Sequence, residues 1–204
     1  MTGPAAGMAP VFLGLGSNQG DRLGHLRSAV AALVAHPRVS VTACSGIWET
    51  EHVGPDVQDP YLNACVAVAT DLAPLELLDV LKDLEARAGR RPDGHRRPRP
   101  IDLDILLFGD LVVAEGRLVI PHREWRERAF VLEPLAEIAA GATCPDSGET
   151  IAAICAKIRR KGGPWVRPFA GGGLVDEGFL PGQEPGREQG GRGCYPGATS
   201  SSKA

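Results

Sequence analysis

The sequence predicts an α+β fold, an antiparallel-containing sheet covered by helices, and three observations carry that prediction. Short apolar runs that alternate every second residue are interleaved with segments whose apolar residues recur every three or four positions. The two periods follow one another as strand, helix, strand, strand, helix, strand, with glycine or proline at most of the switches. At 204 residues, 43% of them hydrophobic, the chain can bury one sizeable core but has no room for a second large domain.

Residues 10–17 form an apolar run broken by Gly14 and Gly16, as expected of a strand entering a loop. Leu23, Leu26, Val30, Leu33 and Val34 then fall at helical spacing after Asp21, until His36-Pro37 stops them, because the residue before a proline is pushed out of the helical region. Val39, Val41, Ile47 and Trp48 frame a second strand, and residues 61–70 alternate as a third that pairs with it across a long Gly/Pro loop. Pro74 suits the first turn of a second helix, Leu75, Leu78, Leu81 and Leu84 give it an apolar stripe, and Gly89 ends it. Ile101, Leu103 and Ile105 alternate with Asp102 and Asp104 before Leu106-Leu107-Phe108, which predicts a fourth strand with one apolar and one acidic face. The order βαββαβ is that of a ferredoxin-like sandwich with both helices on one side of the sheet. Residues 130–138 and 151–158 are apolar enough to add helices at the sheet's edges.

Composition excludes some functions. The 22 basic residues nearly cancel the 25 acidic ones, net −3, so no overall field draws the chain to nucleic acid or an anionic membrane, and any basic site is local. No apolar stretch approaches the roughly 20 residues that span a bilayer, and residues 1–10 lack the basic charge of a secretory leader, so a soluble cytoplasmic protein is expected. The five cysteines, Cys44, Cys65, Cys144, Cys155 and Cys194, lie too far apart for a CxxC pair and read as reduced thiols, mostly in the core. From Gly162 onward 12 of the 26 glycines occur among Pro, Ser and charges, which divides the chain into a folded domain, 1–161, and a largely disordered Gly/Pro-rich extension, 162–204. Within it, Trp165, Val166 and Pro168 are the residues suited to dock on the body.

The chemistry starts at Asp102-Leu103-Asp104. Side chains two apart on a strand point the same way, so the two carboxylates converge on one volume and can hold a hard cation. A solvated strand face carries the same pattern, so the pair decides nothing by itself. The segment 89–100 adds five arginines in a Gly/Pro loop directly before the acids, and guanidinium forks beside a cation site suit phosphoryl transfer. No GxxxxGK[ST] loop occurs, so a nucleotide would be held by side chains. Thr50, Tyr61 and Asn63 offer hydroxyl, aromatic and amide groups suited to a flat heterocycle, although a hairpin uses the same residue types. Pro121-His122 is followed by Arg123, Arg126, Arg128 and Phe130, a further cationic cluster. A metal-dependent phosphohydrolase would use the same acids and cations with water as nucleophile, and a ferredoxin-like nucleic-acid module could use the arginine loop, although its signature strand aromatics are absent.

Taken together, Gly16-Ser-Asn18, Gly54-Pro55 leading to Tyr61-Leu-Asn63, Pro98-Arg-Pro-Ile-Asp-Leu-Asp-Ile105 and Pro121-His122, in this order, resemble the 6-hydroxymethyl-7,8-dihydropterin pyrophosphokinase family from Val11 to about Ile158. The resemblance implies a ferredoxin-like monomer that binds ATP and two Mg²⁺. It would pass the terminal diphosphate to the hydroxymethyl group of 6-hydroxymethyl-7,8-dihydropterin, with neither nucleic acid nor membrane as partner. Carried over by position, Asp102 and Asp104 would hold the metals, and Arg90 and Arg99 would join them in catalysis. Glu85, Arg90, Arg99, Ile105, Arg117, His122 and Arg128 would line the ATP site, and Thr50, Val53, Tyr61, Asn63 and Phe130 the pterin site. The chain departs from the family in two places. Arg96 stands where a loop tryptophan is common, in a loop one residue shorter than in some relatives that leaves Arg90 and Arg91 as alternatives for one phosphate contact. Glu51 and His52 replace prolines.

Overall fold

The computed structural model describes residues 9–52, 56–90 and 97–175. In chain order they form β1 (Val11–Ser17), α1 (Arg22–Ala35), β2 (Val39–Cys44), β3 (Trp48–Thr50), β4 (Tyr61–Thr70), α2 (Pro74–Arg87), β5 (Asp102–Phe108), β6 (Val113–Glu115) and β7 (Leu118–Ile120). A 3₁₀ turn (Trp125–Glu127), α3 (Ala129–Ala139), α4 (Ile151–Lys161) and β8 (Val166–Pro168) complete them. The main sheet has the order β5-β1-β4-β3-β8, with β2 also on β4 and every pairing antiparallel, which is the ferredoxin-like arrangement extended by one strand.

The helices start where local chemistry lets them. The Asp21 carboxylate accepts from the Gly24 N–H at 2.9 Å and the Thr150 hydroxyl from the Ala153 N–H at 3.2 Å, each satisfying a donor that the first turn leaves unpaired. Pro74, which has no N–H to satisfy, opens α2. Leu26, Val30 and Leu33 of α1 pack with Leu77, Leu78 and Leu81 of α2 against Leu13, Leu15, Val66 and Leu103 on one sheet face. The stripe of α2 therefore begins at Leu77, and Leu75 is 49% exposed. Among the described residues no helix is long and apolar enough to cross a membrane.

Two sequence expectations are corrected. The single second strand is two, β2 against the 66–70 half of β4 and β3 against 61–63. At the break the Ser45 hydroxyl accepts from the Cys65 N–H at 2.9 Å, and Glu137 of α3 accepts from the Gly46 N–H at 2.6 Å, so side chains replace the interrupted ladder. The two later helices do not sit at the sheet's edges. Leu132 and Leu135 of α3 and Ile151 and Ile154 of α4 bury the second face with Phe12, Cys65, Ala67, Leu106 and Trp125. Past Gly162, Val166 and Pro168 dock on the body in β8, which pairs with β3, and Leu174, 2% exposed, joins the first core. Residues 176–204 lie outside the described residues.

Candidate active site

The site lies on the α3 side of the sheet, and the register of four strands assembles it. Asp102 pairs with Gly16, Gly16 with Asn63 and Asn63 with Trp48, so their side-chain positions form one row across β5, β1, β4 and β3. The neighbouring positions are Asp104 beside Gly14 and Tyr61 beside Thr50. The two glycines keep the middle of this floor low. A Cβ on Gly14 would lie 3.2 Å from Leu106 Cδ2, and one on Gly16 3.1 Å from Asn63 Oδ1. Above the floor is a pocket of about 570 Å³, within the size range of small-molecule sites.

The acidic end is tightly tied. Asp102 is bonded by the guanidinium of Arg90 and by Arg99 Nη1 at 2.5 Å. Burial pushes the Asp102 carboxyl pKa upward, but the charges of Arg99, Arg90 and Lys82 together hold it below the usual range. Asp104 has weaker support. Among the described residues the nearest basic groups, Lys82 Nζ and His122 Nε2, are both 4.0 Å away, and burial together with the charge of Asp102 raises its pKa. Two carboxylates pushed apart in this way form a site that a cation would relieve. Among the described residues no cluster of three or more His, Cys, Asp or Glu could hold a metal, so an ion here would rest on this pair of carboxylates. That matches Mg²⁺, which takes one or two carboxylates and fills its remaining positions with water and phosphate oxygens. Among the described residues the buried Arg99 Nε has no hydrogen-bond partner.

Asn18, 2% exposed, holds the two loops of the site together. Its Oδ1 accepts from the Arg99 N–H at 2.8 Å, its own N–H donates to the Arg99 carbonyl at 3.2 Å, and its Nδ2 donates to Gln58 Oε1 at 3.0 Å. At the opposite end Asn63 Nδ2 donates to Thr50 Oγ1 at 2.8 Å, both side chains being buried. Burial raises the Tyr61 phenol pKa against the nearby Arg99. His52 lies over Tyr61 with ring centroids 6.0 Å apart and planes 20° from parallel. Trp125, fully buried, fixes the turn that brings Arg128 and Phe130 to the rim, where the Arg128 guanidinium sits 5.6 Å from the Phe130 ring centroid.

The fold brings most of the sequence-predicted residues together. Thr50, Tyr61, Asn63, Arg99, Asp102, Asp104, His122, Arg128 and Phe130 all line the pocket. Arg90 reaches it through Asp102. Three others lie elsewhere. Ile105 is 4% exposed with its side chain in the first core, on the opposite sheet face. Glu85 lies beneath the site, where it accepts from the Leu103 N–H at 2.7 Å and pairs with Lys82 at 2.7 Å and Arg90 at 2.6 Å. Arg117, in the turn between β6 and β7, is spent on a surface pair with Asp79 at 2.5 Å. Val53, Arg91 and Arg96 lie outside the described residues. Sequence reasoning assigned no role to Lys82, which also donates to the Leu103 carbonyl at 3.0 Å, or to Asn18. The place of Asn18 in the Gly16-Ser-Asn18 motif was the signal available for it.

Comparison with known proteins bears on this geometry. The model of the 7,8-dihydro-6-hydroxymethylpterin-pyrophosphokinase family matches residues 12–140. A protein of Methylorubrum extorquens named 2-amino-4-hydroxy-6-hydroxymethyldihydropteridine pyrophosphokinase is 45% identical over 158 residues, covering 76% of this chain and 97% of its own length. One of the same name from Bacillus subtilis is 46% identical over 127 residues, 62% of this chain and 76% of that protein. Among solved structures, wild-type Plasmodium falciparum HPPK-DHPS with pterin and p-hydroxybenzoate shares the fold at a TM-score of 0.61 and 16% identity. The match covers 76% of this chain, which spans less than half, 44%, of that longer one.

Proposed function

This chain belongs to the 7,8-dihydro-6-hydroxymethylpterin-pyrophosphokinase family, and from that premise we propose that it transfers the β,γ-diphosphate of ATP to the hydroxymethyl group of 6-hydroxymethyl-7,8-dihydropterin, yielding AMP and the pterin diphosphate for folate synthesis. One observation carries the reading: a single pocket has paired carboxylates and arginines at one end and Thr50, Asn63, Tyr61 and Phe130 at the other, joined by the low glycine floor.

Each group has a task in that reaction. Asp102 and Asp104 would hold Mg²⁺, which when bound neutralises phosphate charge. Arg99, oriented by Asp102 and by the backbone clamp of Asn18, brings its guanidinium to the wall that would face the anionic diphosphate, and Arg90 is oriented by Asp102 and Glu85. Arg128 adds charge at the rim. Tyr61 and Phe130 flank the flat acceptor ring, while Asn63 and Thr50 meet its polar edge, so the hydroxymethyl oxygen is carried toward the β-phosphorus in line with the departing AMP. His122 Nε2 faces Asp104, and burial, the largest influence on it, lowers its pKa, so it reads as a neutral group beside the carboxylate and not as a base on the acceptor. A phosphohydrolase would leave the buried Asn63–Thr50 pair and the aromatic flank without a task, which favours the pterin acceptor over water.

The test is direct. ATP, Mg²⁺ and the reduced pterin are expected to give AMP in step with pterin diphosphate, with negligible product when Mg²⁺ is removed by chelation. Release of phosphate from ATP at an equal rate without pterin would overturn the reading in favour of hydrolysis.

A further inference from the structure

The family match ends at residue 140, yet the pocket wall does not. Pro164 and Val166 also line it, and both belong to the segment whose composition predicts disorder. The ladder explains how Val166 gets there. Thr50 pairs with Tyr61 on one side and with Val166 on the other, and directly opposed residues of antiparallel strands put their side chains on the same face. The row Tyr61, Thr50, Val166 therefore extends the acceptor half of the floor by one strand.

This added strand is held firmly. Glu49, the residue of β3 that points to the other face, is bound by Arg167 Nη2 at 2.6 Å and Arg22 Nη2 at 3.2 Å, which ties β8 through β3 to α1. The Phe169 N–H donates to the Ile47 carbonyl at 2.8 Å and the Glu51 N–H to the Trp165 carbonyl at 3.3 Å. Beyond β8, Arg27 Nε donates to the Gly173 carbonyl at 3.0 Å and Leu174 is buried in the first core. A three-residue β3 with a free outer edge could not fix Thr50 as well as one paired on both sides.

We propose that β8 is the outer wall of the acceptor site and that Val166 is a specificity-determining contact with the flat heterocycle. The assignment rests on the pterin reading above. Thr50 and Asn63 take the polar edge of the ring, and Val166 and Pro164 supply the apolar surface beside it, where a charge would be stripped of water without a partner.

The full-length chain tests this through pterin binding, followed by pterin fluorescence, and through the KM for each substrate. Val166→Asp is expected to weaken pterin binding by about tenfold or more while ATP binding stays within about twofold. Val166→Ile should retain pterin affinity, since the contact stays apolar. A folded Val166→Asp protein that binds pterin as the wild type does, or that loses both substrates together, overturns the proposal. If a thermal melt shows that this variant does not fold, Val166→Ala decides: weaker pterin binding at unchanged ATP affinity supports the contact, and unchanged pterin binding overturns it. A wild-type chain that binds no pterin fails the underlying functional reading instead, and the wall assignment with it.

Discussion

Asp104→Ala is expected to reduce kcat by about a thousandfold or more without lowering the melting temperature. The two halves of this result have different causes. Asp104 faces the pocket, the Lys82 ammonium is 4.0 Å away, and burial and the charge of Asp102 already raise its pKa, so in the metal-free protein its ionised form is disfavoured. Removing it relieves that repulsion, and stability should stay level or rise by up to about 1 kcal/mol. Asp102→Ala should differ. Asp102 is the shared anchor of Arg90 and Arg99, and its loss leaves both partly buried guanidinium groups without their main partner, so activity and stability should fall together. Steady-state kinetics and thermal melts on the two variants separate the cases, and an Asp104→Ala enzyme with full activity would sink the two-carboxylate site.

The contrast between these two aspartates was only half legible in the sequence. Their convergence was legible, since period-two alternation against Ile101, Leu103 and Ile105 fixes which face each residue takes. Their unequal support was not, because it depends on Arg90 and Arg99 closing onto one carboxylate and leaving the other. Ile105 adjoins the acids in sequence, and the same alternation that sends Asp104 to the pocket sends its side chain to the core, so any nucleotide contact there would be made by its main chain.

Long-range partners account for the other differences. The break between β2 and β3 is stabilised by Glu137, 91 residues beyond Gly46, and no local pattern announces it. The order of β8 depends on Glu49, 118 residues before Arg167, while its own Gly/Pro-rich composition argues for disorder. Composition measures how little apolar surface a segment brings, and here the apolar surface and the hydrogen-bonding edge are supplied by the body.

Glu85 carries the second large effect, and it acts from beneath the pocket. Its side chain is 4% exposed and serves three partners, the Leu103 N–H, Lys82 and Arg90. Glu85→Ala leaves a buried N–H of β5 unsatisfied and takes a carboxylate partner from both Lys82 and Arg90, directly under the aspartates. A loss of about 2–4 kcal/mol is expected, together with a fall in kcat because Arg90 loses one of its two orienting carboxylates. Glu85→Gln keeps an acceptor for Leu103 at similar volume, so it should recover most of the stability and less of the rate. pH distinguishes this role from simple packing. Burial is the largest influence on Glu85 and raises its pKa despite the opposing pull of Lys82, the Leu103 N–H and Arg90. Between its unfolded and folded values the native state therefore holds a proton that the unfolded chain has released. The contribution of Glu85 to stability is present in full below the unfolded value and declines as pH rises through the folded one. Denaturant titrations across mildly acidic pH should show that decline in the wild type and a smaller one in Glu85→Gln. Equal pH dependence in the two proteins would mean that the carboxylate beneath the site is not the buried, proton-holding group that its surroundings imply.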